Sequence, residues 1–202
     1  MPRPREFDET AALEAAMQCF WQRGYEATSL RDLTASMGLT APSLYNAFGD
    51  KQKLFSRALE RYLDHTTRDR LCRLEQSLAP KAALHRFFAE IIEHSISDRQ
   101  RKGCFLVNSA LEVAPHDAAC RAVIAAQFAA IEGFFRKCIL AGQADESVST
   151  DINAGETARL LLGVLLGIRV LARTKPKRAM LEGVVRPALL LLEPRHKGKA
   201  KR

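Results

Sequence analysis

Cysteine is sparse in this 202-residue chain: Cys19, Cys72, Cys104, Cys120 and Cys138 are odd in number and far apart, with no CxxC pair. That excludes a secreted disulfide framework and a structural zinc site, and it suits a reducing cytosol. No uninterrupted apolar run approaches the roughly 20 residues of a membrane-spanning helix; the longest, residues 160–168, is flanked by Arg159 and Arg169. The first ten residues are charged and hold no apolar centre, so no secretory signal is expected and the chain is placed in the cytoplasm, away from membranes. Strand-type alternation is also missing. So are a Ser-His-Asp order, metal-ligand spacing and a glycine-rich phosphate loop. No catalytic residue, metal or cofactor is expected.

What is present is apolar content of 47% and charged content of 27%, the composition of a globular chain. The 31 Lys and Arg against 23 Asp and Glu give a net charge of +8, which invites a nucleic-acid reading. Its distribution resists that reading. Residues 1–50 hold seven acidic and four basic side chains, residues 51–76 seven basic and four acidic, and residues 173–202 ten basic and two acidic. The excess therefore lies in the last thirty residues, and a case for DNA binding must come from a motif.

The periodicity is helical nearly throughout. A first helix over 8–23 puts Leu13, Met17, Phe20 and Trp21 on one face and stops at Gly24. Ser29, with Asp32 three residues on, caps a second helix over 30–37 that Gly38 ends. Thr40 caps a third, with Pro42 tolerated in its first turn and Gly49 as its stop, and Asp50 caps the next. The helices that follow are longer: 51–76, 81–97, 103–113, 116–141, 154–173 and 177–192. Residues 195–202 form a basic tail that reads as disordered. Two short helices joined by a glycine turn after a third make a helix-turn-helix.

The stretches Gly24-Tyr25-Glu26-Ala27-Thr28-Ser29-Leu30-Arg31-Asp32-Leu33 and Met37-Gly38-Leu39-Thr40-Ala41-Pro42-Ser43-Leu44-Tyr45-Asn46-Ala47-Phe48-Gly49-Asp50-Lys51 closely resemble the TetR family of transcriptional regulators. The resemblance implies an all-α fold: a helix-turn-helix DNA-binding head over 1–50 and a six-helix ligand-binding and dimerisation domain over 51–194. It also implies a homodimeric repressor that leaves a palindromic operator when an unknown small-molecule inducer binds. The amino-terminal residues of the third helix, Thr40, Ala41, Pro42 and Ser43, would enter the major groove. By resemblance Tyr45 contacts phosphate, and Asn46 is a base-reading candidate; Thr28, Ser29 and Lys51 suit phosphate oxygens, with Arg3 and Arg5 in reach of the adjacent backbone.

In the body, apolar residues wrap the whole circumference of residues 160–171, so Leu161, Gly163, Val164, Gly167 and Leu171 are dimer candidates, with Val184 and Leu189 from the last helix. Phe88, Phe105, Asn108 and Phe128 are pocket candidates. Cys104 opens a helix after Arg99, Arg101 and Lys102, a setting that favours a thiolate. The segment Gly103-Cys104-Phe105-Leu106-Val107-Asn108 is similar to one in a TetR subgroup that includes sensors of electrophiles or oxidants. Two other classes compete: a cysteine-based enzyme and a helical interaction protein without operator binding.

Overall fold

The computed structural model describes residues 7–194, so Arg3, Arg5 and the 195–202 tail lie outside the described residues. Among those residues the chain is helical and contains no strand. The helices are α1 (Glu9–Arg23), α2 (Leu30–Met37), α3 (Ala41–Phe48), α4 (Lys51–Tyr62), α5 (Asp69–Ser77), α6 (Pro80–Ser97), α7 (Phe105–Glu112), α8 (Ala118–Ala144), α9 (Ala154–Leu171) and α10 (Arg178–Leu190). The single helix expected over 51–76 is one helical run interrupted by a π turn, Leu63–Arg68, between α4 and α5. Wider winding of that kind leaves no mark on a 3.6-residue pattern.

Two compact units emerge, and they do not follow the division at residue 50. The first takes in residues up to Asp69 together with Cys104–Ala125; the second takes in Arg70–Gly103 and the chain from Ala126 onward. Thus α4 and α7, sequence neighbours of the body, fold with the three helices of the head.

The first unit is built on aromatic edges. Phe20 and Phe55 meet at 5.1 Å between centroids, Phe55 and Phe105 at 5.4 Å, Phe105 and Tyr62 at 5.6 Å, and Tyr62 and Trp21 at 4.9 Å. Each is a T-shaped contact, the geometry aromatic quadrupoles prefer. Around them Leu33, Leu44, Phe48 and Leu54 are sealed from water. The second unit packs Phe87 and Phe88 of α6 against Phe135 of α8, at 5.0 and 5.7 Å. Leu161 and Ile168 of α9 and Leu181 of α10 are also buried.

By length and composition α8 is apolar enough to cross a membrane, with a mean hydropathy of 1.4. Its exposed Arg121, Arg136 and Lys137 interrupt the surface that lipid would need, while Ile124, Ile131 and Ile139 face inward. The sequence expectation weighed only unbroken apolar runs and passed over this helix.

Candidate functional site

Three capped helix starts fix the head. Asp8 accepts from the amides of Thr10 and Ala11 and opens α1. Ser29 and Asp32 form a reciprocal capping box on α2: Ser29 Oγ accepts the Asp32 amide at 3.1 Å, and Asp32 accepts the Ser29 amide at 3.0 Å. Those bonds from Ser29, with Arg23 beside it, hold the Asp32 carboxyl below the usual range. Gly38 takes the left-handed conformation, φ 66°, that turns the chain from α2 into α3. Thr40 then caps α3 by accepting the Ser43 amide at 3.3 Å, and its hydroxyl pairs with Ser43 Oγ at 3.0 Å.

This anchoring decides what α3 offers. Leu44 and Phe48 are buried, so the opposite side faces outward. Thr40, Ala41, Pro42 and Asn46 are exposed, Ser43 is half-buried, and Tyr45 is 45% exposed. A large aromatic beside small residues on an open helix face needs a partner more than it needs a core. The nine predicted contact residues do not all share this surface. Thr28 is fully buried, and its hydroxyl donates to the Gly24 carbonyl, so it closes the α1–α2 turn and is not available to phosphate. Lys51 is half-buried with its ammonium 4.4 Å above the Tyr25 ring, a cation–π contact inside the head. Ser29 is exposed, although its hydroxyl is engaged in the capping box.

Sequence reasoning missed the strut behind the turn. Glu112, at the end of α7, accepts the Glu26 amide at 2.9 Å. Its carboxylate also fills the space beside Gly24, where φ is +89° and a Cβ would lie 2.7 Å from Glu112 Oε2. Gln52 of α4 donates to Asp117 at 2.7 Å. Glu112 and Glu26 are 86 residues apart in the chain, and no local pattern signals such a pair.

Cys104 is the residue before α7, and it is buried in this same unit. Tyr62 Oη donates to its Sγ at 3.6 Å, and the neighbouring Phe105 packs on Phe55 and Tyr62. The preceding loop is unusual in its backbone: Arg101 has φ +53° and Gly103 φ +70°. Burial pushes the Cys120 and Cys138 thiols up to about 11, which leaves them protonated and inert. Cys72 is exposed, and its Sγ accepts from Gln76. The Cys72 position on α5 falls outside the apolar face that carries Leu74.

The pocket candidates divide between the units. Cys104, Phe105 and the half-buried Asn108 belong to the first, Phe88 and the half-buried Phe128 to the second. Phe88 also lines an open groove of about 530 Å³ between α6 and α10, rimmed by Glu90, Glu93, Arg178 and Glu182.

The dimer candidates divide as well. Leu161 and Leu189 are 0% and 8% exposed and belong to their own chain's core, a correction to the expected interface. Helical spacing turns them away from the stripe of Leu160, Gly163, Gly167 and Val170 on α9. On α10 Met180, Val184 and Leu190 are likewise exposed, and Val164 and Leu171 are half-buried. Space beside Gly163 and Gly167 is open, so another backbone can approach closely there.

Comparison with known proteins agrees with this geometry. Residues 12–58 match the family "Bacterial regulatory proteins, tetR family", and residues 80–187 match "Tetracyclin repressor-like, C-terminal domain". The HTH-type transcriptional repressor ComR of Escherichia coli is 33% identical over 85% of this chain and 82% of its own length. The HTH-type transcriptional regulator YezE of Bacillus subtilis is 30% identical over 96% of this chain and 100% of its own. Among solved structures, a cysteine mutant of the TetR family transcriptional regulator CifR, complexed with 26-bp double-strand operator DNA, superposes with a TM-score of 0.83. It is 35% identical and covers 94% of this chain and 99% of that one.

Proposed function

The chain belongs to the TetR family of bacterial regulatory proteins, DNA-binding transcriptional regulators and not enzymes, and from that premise we propose that it is a cytoplasmic homodimeric repressor of a palindromic operator. One observation carries the reading: α3, capped by Thr40, presents Ala41, Pro42, Tyr45 and Asn46 outward while Leu44 and Phe48 anchor it from behind. Small side chains at the helix start permit close approach to base edges. Tyr45 reaches phosphate, and Asn46 can pair with a base. The operator-bound structure of CifR supports this assignment by analogy. The head over 1–50 reads DNA. The domain over 51–194 dimerises through the exposed stripes of α9 and α10 and receives a small-molecule inducer.

Release follows from the first unit's internal connections. Helix α7 has Cys104 at its start and Glu112 at its end, and Glu112 holds the Gly24–Glu26 turn from which α2 begins. An activated alkene that adds to Cys104 forms an S–C bond at one alkene carbon as its π bond opens, and the thiol proton ends on the other carbon. The added bulk, in a site already filled by Tyr62 and Phe105, displaces α7 and withdraws that support.

Gel shifts with the promoter DNA of the protein's own gene test both parts. Asn46→Ala should cost about 1–3 kcal/mol on the preferred site and relax its sequence preference. In a Cys72→Ser background, N-ethylmaleimide should release DNA, and adding Cys104→Ser should abolish that release. Undiminished release would remove Cys104 from the mechanism.

A further inference from the structure

Helices α6 and α10 of the second unit run antiparallel, and an ion pair joins them at each end. Arg178, which opens α10, meets Glu93 of α6 at 2.6 Å, and Lys81 of α6 meets Glu193, just past α10, at 2.6 Å. Between the two pairs lies the open groove of about 530 Å³, a volume typical of small-molecule sites. Its floor is apolar: Phe88, Ile92, Val185 and Leu189 line it and are buried. The small side chain of Ala89 leaves the middle of the groove unfilled. Met180 and Val184 of the exposed α10 stripe do not line it, so the groove is a surface apart from the one offered to a second copy.

The charges along the rim are sorted. Toward Glu93 one cation serves two carboxylates, since Arg178 meets both Glu93 at 2.6 Å and Glu182 at 3.8 Å. Further along, the ratio reverses. Glu90 accepts Arg70, Arg73 and Arg86 at 3.3, 2.7 and 2.9 Å. Burial alone would raise the Glu90 carboxyl, but the bonds from Arg73 and Arg86 outweigh it and hold the group below the usual range. That carboxylate is fully engaged. The register of the two helices brings Arg186 level with Arg86, both line the groove, and Arg186 makes no ion pair among the described residues. Apart from the Lys81–Glu193 pair, this stretch therefore sets four arginines against one carboxylate.

We propose that the groove binds an organic acid with an apolar body, its acid group held between Arg86 and Arg186 and its body laid along Phe88, Ile92 and Val185. The planar guanidinium fork matches two acid oxygens. A cation would meet the surplus of arginine, and a neutral ligand would gain only the floor. A strongly hydrated inorganic anion could not use the floor at all. The Glu93 and Glu182 carboxylates repel the acid group from the far end and so fix the direction in which the ligand lies. This site goes beyond the operator-binding reading and stands whether or not its occupation releases DNA.

Calorimetric titration of the full chain tests it with one apolar body carrying three different heads: 4-phenylbutanoate, 4-phenylbutanol and 4-phenylbutylamine. Octanoate serves as a second acid, and acetate and inorganic phosphate as anions without a body. Both acids should bind, and the alcohol and amine should bind about tenfold more weakly or worse. Acetate and phosphate should give no measurable heat. Arg86→Gln combined with Arg186→Gln should lower the affinity for either acid to that of the alcohol and leave the alcohol unchanged. Both side chains are exposed, and Glu90 keeps Arg70 and Arg73, so the fold has no cause to change. Ala89→Phe fills the floor from an exposed position and should weaken acid and alcohol alike. Equal affinities for acid, alcohol and amine, phosphate binding as tight as that of the acids, an acid affinity that survives either variant, or no binding of either acid would each overturn the site.

Discussion

The two units solve helix stability by different means. In the first, α2 and α3 are eight residues each, too short to persist alone. Each of α1 to α4 starts with a side-chain cap, from Asp8, Ser29, Thr40 and Asp50. In the second, α6 runs for 18 residues and α10 for 13, and neither has a side-chain cap bond. Length and buried phenylalanine carry those two helices, although α9 of the same unit keeps a polar cap, Asn153 accepting the Gly155 and Glu156 amides. The short helices of the head are thus held at their ends, whereas α6 and α10 are held by what they bury.

The largest expected effect probes the interiors. Phe55 touches Phe20, Tyr25 and Phe105 and is 1% exposed, so Phe55→Ala should cost about 3–5 kcal/mol. Phe135 holds the corresponding place in the second unit, against Phe87 and Phe88, and its alanine variant should cost a similar amount. Trp21, the chain's single tryptophan, lies against Tyr62 in the first unit. Its fluorescence should therefore lose stability with Phe55→Ala more than with Phe135→Ala, while helix ellipticity registers both. Equal shifts in both signals for both variants would show one cooperative body and dissolve the comparison.

How much of this could be read from the chain follows the same division. The Ser29-x-x-Asp32 box, the Gly38 turn and the Thr40 cap are local chemistry, and each is where the sequence places it. The outward face of α3 followed because Leu44 and Phe48 fix which side of the helix is buried. Thr28 and Lys51 were misplaced because a hydroxyl and an ammonium beside a helix start suit phosphate equally well on paper. Only the fold shows the Gly24 carbonyl and the Tyr25 ring occupying them. Glu112 was invisible for a related reason. Its role depends on a turn 86 residues away. On α9, a circumference of leucines gave no phase, so Leu161 could not be told from Leu160 until the inward face was known.

A middle-sized effect should come from exchanging the two strategies. Ser29→Ala removes one half of the capping box and should cost about 1 kcal/mol in chemical denaturation. Ala79 precedes α6 in an extended conformation with no side-chain cap bond, so Ala79→Asp should add up to about 1 kcal/mol by supplying the missing acceptor. A neutral Ser29→Ala would mean that packing alone fixes α2, and that the head is not held by its ends.

The smallest effect is the head's sensitivity to acid. The Asp32, Asp50 and Asp117 carboxyls all sit below the ordinary aspartate range because they accept hydrogen bonds: from Ser29, from the Lys53 amide, and from the Cys120 amide with Gln52. A carboxyl whose folded pKa is lowered binds its proton more readily in the unfolded chain. It therefore contributes stability above the unfolded value near 4, and that contribution fades as pH falls through the folded one. Asp50 is exposed and Asp32 and Asp117 are half-buried at the surface, so solvent screens all three and each contributes little. Stability followed by Trp21 fluorescence should stay level from pH 7 to about 5 and decline from about 4 downward. Replacing Asp32 with Asn should flatten that decline slightly, since an amide keeps an acceptor for Ser29 but has no proton to gain. A decline already complete by pH 5 would implicate histidine instead of the caps, because only imidazole titrates in that higher window.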